Sequence, residues 1–365
     1  MSPFGRRRLG LRFADGAAVH WAARAVARTT AEGRDGMSEF DAQSEIDRFE
    51  RLARKALVLF GLDEVEIEGR IGSSNVLFEI LPAGGDAEGA HYALRVGSRD
   101  ASSDQVMREL LWLTRLCQHE AGAVPEPILS RSGRLVESVS VQGVSGFRLV
   151  VLLRWVEGRP LDAGQVSLDT IADIGRFLAR IHERGRAYRW PEELERPIDP
   201  LPDAADLAHR LRQFRERADD LDVLVDRAID LARRSRGALD AAATGSTIVH
   251  GDFRIANLRV QDASIRAIGF DRCRRGYGVE DLASIDLGLR RRDDVDEARA
   301  ALLEGYGSES GVSDRADEHI AAHAALATLD ELRRLAVRDA HLLPKTLDWV
   351  ERLAALLRTL LDEPE

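Results

Sequence analysis

Residues 248–258 read IVHGDFRIANL, and this stretch decides how the rest of the chain is interpreted. An apolar pair leads into a loop in which Asp252 is followed five positions later by Asn257. Phosphoryl transfer needs a carboxylate near the attacking hydroxyl and oxygen ligands for Mg²⁺, and these two residues supply both from one loop. The alternative is that Asp252 and Asn257 only cap a turn. For His250 we favour a buried, hydrogen-bonded structural role.

The sequence ahead of this loop alternates between apolar and polar residues, which is typical of strands. We expect a helix that ends near Phe60, another over residues 105–119, and five strands before residue 157. The strands are predicted around residues 65–67, 76–81, 92–96, 135–141 and 148–156.

Helical periodicity dominates after Gly158. It predicts helices over residues 171–183 and 207–233 and from Leu282 to the end, with short paired strands at 247–249, 258–260 and 265–270 between them. The fold class is therefore α+β with two lobes. We expect residues 1–37 to be a disordered extension, residues 38–157 a nucleotide-binding lobe with the hinge, and residues 158–365 a helical lobe.

Composition excludes several classes of protein. The chain has 365 residues and a formal net charge of -10 at pH 7, which argues against a nucleic-acid binder. The longest apolar run, Leu149–Leu153, is flanked by arginines and is too short to span a bilayer. The only cysteines, Cys117 and Cys273, lack metal-site spacing, so we expect reduced thiols and a cytoplasmic protein without membrane or nucleic-acid partners.

The 248–258 loop resembles the Brenner-type loop of the aminoglycoside phosphotransferase and choline kinase-like family. That family has the protein-kinase-like fold, with a strand-rich N-lobe and a mainly helical C-lobe. The resemblance extends over most of the chain from about Glu64, and around Phe270 and Asp271 it also includes bacterial stress-response Ser/Thr kinases. It implies ATP-dependent transfer of the γ-phosphate to a hydroxyl of an aminoglycoside-like molecule, a metabolite or a protein Ser/Thr, with Asp252 as the base.

The resemblance also implies where ATP binds. Residues 69–75, GRIGSSN, resemble the nucleotide loop, so Ser73, Ser74 and Asn75 are candidate phosphate ligands, although a plain hairpin would read the same way. Arg95 stands where kinases usually carry lysine, and its planar guanidinium can pair with Glu109 and contact a phosphate. The alternatives are an exposed strand charge for Arg95 and an exposed helix charge for Glu109.

Two further segments carry the resemblance. Residues 148–158 resemble the hinge, which makes Arg154, Trp155 and Val156 candidate nucleotide contacts. Residues 280–283, EDLA, resemble the family's DLA box. The resemblance implies that Asp281 braces the catalytic loop by accepting hydrogen bonds from its backbone or from His250.

One position departs from the family. The metal-binding aspartate lies twelve residues before the aspartate of the DLA box, and that position is Gly269 here. Asp271 lies two residues further on and would face the same side of a strand. Asp271 and Asn257 are therefore the candidate Mg²⁺ ligands. The alternatives are a nucleotide-binding pseudokinase with a regulatory or scaffolding role, or a helical module that binds no nucleotide. The acceptor and the oligomeric state cannot be read from the sequence.

Overall fold

The computed structural model describes residues 39–71, 75–82, 91–241, 245–310, 316–338 and 344–362. Their architecture confirms the predicted α+β fold with a strand-rich first lobe and a helical second lobe. The predicted extension, residues 1–37, lies outside the described residues, and the boundary between residues 157 and 158 stays a prediction. No helix in the described ranges is long and apolar enough to cross a membrane.

The first lobe is built on an antiparallel sheet with the order β1-β2-β3-β6-β4, in which β5 also pairs with β6. The strands are β1 (Val65–Ile71), β2 (Val76–Pro82), β3 (Tyr92–Val96), β4 (Pro127–Ile128), β5 (Glu137–Val139) and β6 (Arg148–Arg154). Helix α1 (Glu39–Phe60) and helix α2 (Ser103–Cys117) belong to the same lobe.

Strand β3 lies in the middle of this sheet and positions Arg95. Leu94 and Val96 are fully buried in the core that the sheet shares with α1. Because side chains alternate along a strand, Arg95 points to the opposite face, toward α2. Helix α2 begins at a cap in which Ser102 Oγ accepts the backbone N–H of Gln105.

The second lobe is mainly helical. Its helices are α3 (Leu168–Ala187), α4 (Ala204–Leu211), α5 (Leu221–Ala241), α6 (Val279–Leu289), α7 (Val295–Ser310), α8 (Ala316–Arg338) and α9 (Pro344–Asp362). Helices α3 and α7 approach each other closely enough to require glycine. A Cβ on Gly305 would lie 2.0 Å from the carbonyl oxygen of Ala172, and one on Gly175 would lie 2.3 Å from that of Leu302.

Short strands frame the 248–258 loop. They are β7 (Arg159–Pro160), β8 (Thr247–Val249), β9 (Leu258–Gln261), β10 (Ser264–Ala267) and β11 (Arg274–Gly276). The chain enters the loop from β8 and leaves it into β9, and Phe253 anchors the loop in the core with no exposed surface. The loop therefore has fixed ends and a buried centre.

Two expectations for these short strands were wrong, namely the partner of the strand at residues 247–249 and the end of the strand at residues 265–270. Strand β8 pairs with β11, whereas β9 pairs with β10 and β7. The strand predicted over residues 265–270 ends at Ala267, because Gly269 adopts a left-handed conformation with φ 84° and Phe270–Arg272 forms a 3₁₀ turn.

The single helix predicted over residues 207–233 was also wrong. Helix α4 ends at Leu211, a 3₁₀ turn spans Arg212–Phe214, and α5 begins only at Leu221. No glycine or proline marks this break in the sequence. It is fixed by tertiary packing, which buries Phe214 completely, and by the Arg215–Asp222 ion pair across the bend.

Candidate active site

Asp281 fixes the start of the 250–257 loop through hydrogen bonds. This fully buried carboxylate accepts the backbone N–H of His250 at 2.7 Å and that of Gly251 at 2.9 Å. His182 Nε2 lies 3.0 Å from the same carboxylate, and His182 Nδ1 lies 2.9 Å from the Tyr306 hydroxyl. Burial opposes ionisation of Asp281, but these hydrogen bonds outweigh it and lower its pKa.

Gly251 is the tightest point of the loop. Its φ is 78°, and a Cβ there would lie 2.4 Å from the carbonyl oxygen of Arg272. Any other residue would combine a left-handed backbone with a clash against the backbone of the 3₁₀ turn. The turn that carries Asp271 and the loop that carries Asp252 therefore pack directly on each other.

His250 has the structural role that we favoured from the sequence. It is fully buried, its Nε2 lies 3.0 Å from the Ile268 carbonyl, and its Nδ1 accepts the backbone N–H of Asp252 at 3.2 Å. Burial lowers the pKa of His250, so the ring is neutral, with its proton on the nitrogen that donates to Ile268. A neutral ring with both nitrogens engaged fixes the position of Asp252.

Asp252 lies at the open side of the loop, with 22% of its side chain exposed. Its Oδ2 accepts Asn257 Nδ2 at 3.1 Å. Arg254 forms two charge-assisted contacts with it, from Nε to Oδ1 at 2.8 Å and from Nη2 to Oδ2 at 2.9 Å. The carboxylate is therefore oriented by its neighbours and still reachable by a small molecule.

Asn257 donates both of its amide contacts toward Asp252, at 2.8 Å to the backbone carbonyl and 3.1 Å to the carboxylate. Its side-chain oxygen is therefore turned away from Asp252 and is available as a ligand. Gly269 lies directly beside this amide. A Cβ on Gly269 would lie 3.4 Å from Asn257 Cγ and 3.5 Å from Oδ1, which is ordinary van der Waals contact.

Asp271 reaches the cleft by a different route from the one we expected. It lies in the 3₁₀ turn Phe270–Arg272 and not in a strand, so the expected placement by strand alternation was wrong. The turn itself directs Asp271 toward the first lobe, where Asn75 Nδ2 lies 3.4 Å from its carboxylate. Gln105 Nε2 donates to the carbonyls of Asp271 and Cys273 at 3.1 and 3.0 Å, which ties the turn to α2.

Arg95 and Glu109 form a bidentate ion pair across the first lobe. Arg95 Nη1 and Nη2 lie 2.8 and 2.6 Å from the two carboxylate oxygens, and Glu109 is 1% exposed. Burial opposes the charge of Arg95, but the Glu109 carboxylate outweighs it, with a further contribution from Asp271, and the pKa of Arg95 is raised. The guanidinium is therefore fixed by Glu109, and the negative charge of Asp271 adds to the stabilisation of its positive charge.

The other predicted nucleotide contacts are placed as follows. Ser73 and Ser74 lie outside the described residues. Arg154 pairs with Glu126 at 2.7 Å, and its side chain is half-exposed. The Trp155 ring stacks on His91 with centroids 4.3 Å apart, and Val156 is buried. The hinge role of these residues stays a prediction.

The side chains at this site suit a cation that binds together with the phosphates of a nucleotide. Within the described ranges, no three histidine, cysteine, aspartate or glutamate side chains are grouped to hold a metal. Mg²⁺, however, is usually bound by one or two carboxylates together with substrate phosphates. The Asn257 amide oxygen and the Asp271 carboxylate match that pattern.

Sequence reasoning missed several residues that build this site. Arg254 was part of the quoted loop but gave no signal, because a two-residue spacing in a loop does not predict which side chains meet. His182, Gln105 and Tyr306 were given no role in the sequence analysis. Their contacts depend on how distant helices pack.

Comparisons with known proteins identify a family for this chain. The family model of the phosphotransferase enzyme family matches residues 68–319. A search of curated proteins finds no match to the chain.

Solved structures of kinases share the fold. A microcompartment-associated aminopropanol kinase is 22% identical with a TM-score of 0.70, and the match covers 86% of this chain and 96% of that one. An amicoumacin kinase in complex with AMP-PNP, Ca²⁺ and Ami is 18% identical with a TM-score of 0.69, covering 89% and 96%. A spectinomycin phosphotransferase in complex with ADP and spectinomycin is 13% identical with a TM-score of 0.62, covering 85% and 98%.

Proposed function

The chain belongs to the phosphotransferase enzyme family, and from that premise we propose that it transfers the γ-phosphate of ATP to a hydroxyl group of a small molecule. The observation that carries the proposal is that a single loop presents Asp252 and Asn257 together. Asp281 fixes this loop by accepting two of its backbone N–H groups. Two structural neighbours support the proposal, because they were solved with AMP-PNP or ADP together with a small molecule.

Each residue has a defined task in this proposal. Asp252 accepts a hydrogen bond from the acceptor hydroxyl, orients its oxygen toward the γ-phosphorus and takes its proton as the new bond forms. Arg95, fixed by Glu109, contacts the α- or β-phosphate. Because Glu109 is buried and Arg95 is only 11% exposed, the guanidinium is already in place before ATP binds.

Asn257 and Asp271 are the residues that would hold Mg²⁺. When bound, the ion neutralises phosphate charge and orients the transferred group. Ser73, Ser74 and Asn75 are proposed to cover the phosphates, and Arg154, Trp155 and Val156 to border the adenine. Asn75 lies next to Asp271, which supports a shared phosphate and metal site.

A second candidate function is a nucleotide-binding pseudokinase. It is favoured by Gly269, which removes the carboxylate that the family uses for its metal ion. Loss of an anionic ligand weakens the binding of a hard cation that prefers octahedral oxygen coordination. The two candidates share the nucleotide site and differ only in whether the bound ATP reacts.

Two measurements separate these possibilities. In a thermal-shift titration, the enzyme is stabilised by ATP in a Mg²⁺-dependent way, a pseudokinase is stabilised without metal dependence, and a protein that does not bind ATP shows no shift. Transfer of radiolabelled γ-phosphate is then screened over metabolite pools with wild type and Asp252→Asn. Acceptors labelled by wild type but not by the variant support the proposal. ATP binding without any labelled acceptor favours the pseudokinase.

A further inference from the structure

Helix α2 carries Glu109, yet its apolar face packs into the core of the second lobe. Four of its side chains are buried in the same cluster as the buried residues of α3, namely Leu110, Trp112, Leu113 and Leu116. The core between α1 and the sheet contains no residue of α2. The orientation of Glu109 toward Arg95 is therefore set largely by the second lobe.

The chain that follows α3 contacts α2 directly, and we call its residues 188–196 the strap. Trp190 is 4% exposed, and its indole Nε1 donates to the carbonyl of Arg108 at 2.9 Å. In the other direction, Arg108 Nη1 donates to the carbonyl of Leu194 at 3.4 Å. Arg108 directly precedes Glu109 in the helix, so the strap holds α2 next to the Glu109 carboxylate.

Arg275 on β11 anchors the strap to the second lobe. Its side chain is 7% exposed and donates to the carbonyls of Gly185 and Tyr188 at 3.1 and 3.0 Å and to the Glu195 carboxylate at 3.0 Å. The guanidinium also lies over the Trp190 ring, 5.3 Å from its centroid. Glu195 in turn accepts the backbone N–H of Trp190 at 3.0 Å. Because charge-assisted hydrogen bonds at a nearly buried site are strong, they fix the position of the indole.

Arg108 links the strap to the turn that carries Asp271. Its Nη2 donates to Gln105 Oε1 at 2.7 Å, and the Gln105 amide nitrogen donates to the Asp271 carbonyl. A displacement of α2 away from the strap would break this series of contacts. It would also leave Glu109 buried without Arg95, which costs free energy because the carboxylate loses its counter-charge.

We propose that Trp190 is a positioning residue for nucleotide binding, which acts through the Arg108 carbonyl and holds α2 in the orientation in which Glu109 fixes Arg95. This inference rests on the proposed function, in which Arg95 contacts a phosphate of ATP. The strap keeps the Arg95–Glu109 pair assembled before the nucleotide arrives, so binding does not have to order the guanidinium. Trp190 itself contacts neither the nucleotide nor the acceptor.

Nucleotide binding tests this role without an acceptor. Thermal-shift titrations with AMP-PNP and Mg²⁺ give dissociation constants for wild type, Trp190→Phe and Arg108→Met. Trp190→Phe keeps an aromatic ring beneath Arg275 and removes the indole N–H. We expect AMP-PNP to bind about 3- to 10-fold more weakly, which corresponds to one neutral hydrogen bond. Arg108→Met, at a half-buried side chain, disrupts the same junction from the α2 side and should weaken binding by a similar factor. Trp349→Phe, on α9, is the matched control and leaves the constant unchanged.

Two readouts separate positioning from a general loss of structure. In the double variant Arg95→Met with Glu109→Leu there is no ion pair to position, so Trp190→Phe should not weaken AMP-PNP binding further. Hydrogen exchange of the α2 amides should be faster in Trp190→Phe than in wild type without nucleotide. With saturating AMP-PNP it should equal wild type, because the phosphates then hold Arg95 and Arg95 holds Glu109. Once an acceptor is known, KM for ATP should rise in Trp190→Phe while KM for the acceptor stays unchanged.

The outcomes are distinguishable. Unchanged AMP-PNP affinity in Trp190→Phe, a further loss in the double variant, or α2 exchange that stays fast with saturating AMP-PNP overturns the role of Trp190 and leaves the proposed function standing. If Trp190→Phe does not fold, Arg108→Met decides by the same three criteria. A wild-type protein that does not bind AMP-PNP overturns the proposed function, and the role of Trp190 with it.

Discussion

Asp281 and His182, ninety-nine positions apart in the chain, meet at 3.0 Å in the core of the second lobe with no exposed surface on either residue. The same Asp281 carboxylate accepts the first two backbone N–H groups of the 250–257 loop. The helix that carries His182 is therefore joined to the catalytic loop through one carboxylate.

We expect Asp281→Asn to destabilise the protein by about 2–4 kcal/mol. An amide at this position keeps one acceptor oxygen but places an N–H₂ group against donors, so at least one buried donor is left unsatisfied. Turnover should fall as well, because the Asp252 backbone is no longer fixed. Urea unfolding and steady-state kinetics measure the two effects. His182→Gln disturbs the contacts with Asp281 and Tyr306 but leaves Asp281 bonded to the two loop N–H groups, so it should cost less in both. A wild-type free energy of unfolding in Asp281→Asn would contradict this account.

The Arg95–Glu109 pair predicts separate effects on stability and on ATP affinity. Arg95→Ala leaves Glu109 buried and unpaired, so we expect a loss of about 3–5 kcal/mol of stability. The double variant Arg95→Met with Glu109→Leu removes both charges and should recover most of that stability. Its ATP affinity should stay weakened by roughly 1.5–3 kcal/mol, the worth of a charge-assisted phosphate contact. Unchanged ATP affinity in the stable double variant would give Arg95 a purely structural role.

The parts of the fold that the sequence predicts well are those with local causes. Strand β3 begins and ends at the expected residues because its alternation is dense and its boundaries are marked. The buried role of His250 also matches the structure, because an isolated histidine after an apolar strand has few other options. The expectation for Asp281 came from the family resemblance, and its carboxylate accepts the backbone N–H groups of His250 and Gly251.

The features that sequence reasoning missed depend on backbone conformation and on packing, which the residue types do not specify. The left-handed conformation of Gly269 redirects Asp271 from a strand into a turn, and no alternation pattern shows this. The break between α4 and α5 lacks a glycine or proline. The Arg254–Asp252 pair follows from the exact shape of the loop, which the residue types alone do not specify.

His323 on α8 predicts a dependence of stability on pH. Burial, together with the positive charges of Arg236, His319 and Arg274, lowers its pKa to about 3. In the unfolded chain a histidine titrates near pH 6.5, so between pH 6.5 and 3 the unfolded state binds a proton that the folded state does not. Stability therefore falls as pH is lowered through this window, by about 1.4 kcal/mol per pH unit from this residue alone.

His323→Gln should remove that contribution. We expect the variant to lose about 2 kcal/mol less stability than wild type between pH 6.5 and pH 5, measured by urea unfolding at both values. His250 contributes in the same direction, because its pKa is also lowered by burial, so the slope should decrease without vanishing. His119→Gln, at an exposed histidine, is the control. An unchanged slope in His323→Gln would show that this residue does not contribute.

Asp252→Asn tests the base. We expect phosphotransfer to fall about 10²–10⁴-fold, since an amide cannot take the proton of the acceptor hydroxyl. Folding and ATP binding should remain close to wild type, because the Asn side chain keeps an oxygen for Arg254 and the side chain is not deeply buried. Turnover and calorimetric ATP binding are measured on the same preparation. Wild-type turnover in the variant would remove Asp252 from the mechanism.

Gly269 and Asp271 decide whether the site is active. If Asp271 replaces the missing carboxylate, Asp271→Ala should eliminate Mg²⁺-dependent ATP binding and turnover, because the Asn257 oxygen and the phosphates alone hold the ion weakly. Full wild-type turnover in that variant would contradict the substitution.

Gly269→Asp tests how a carboxylate at the position used by the family changes turnover in this protein. The left-handed conformation costs a non-glycine residue about 1–2 kcal/mol, but aspartate tolerates it better than most, and the space beside Asn257 accepts a Cβ without a clash. Gly269→Ala carries the same strain without the charge and is the matched control. In an active enzyme, Gly269→Asp should have turnover equal to or above wild type after correction by the Ala variant. In a pseudokinase, wild type and Asp271→Ala are both silent, and turnover appears only in Gly269→Asp, because only that variant places a carboxylate beside the Asn257 amide oxygen.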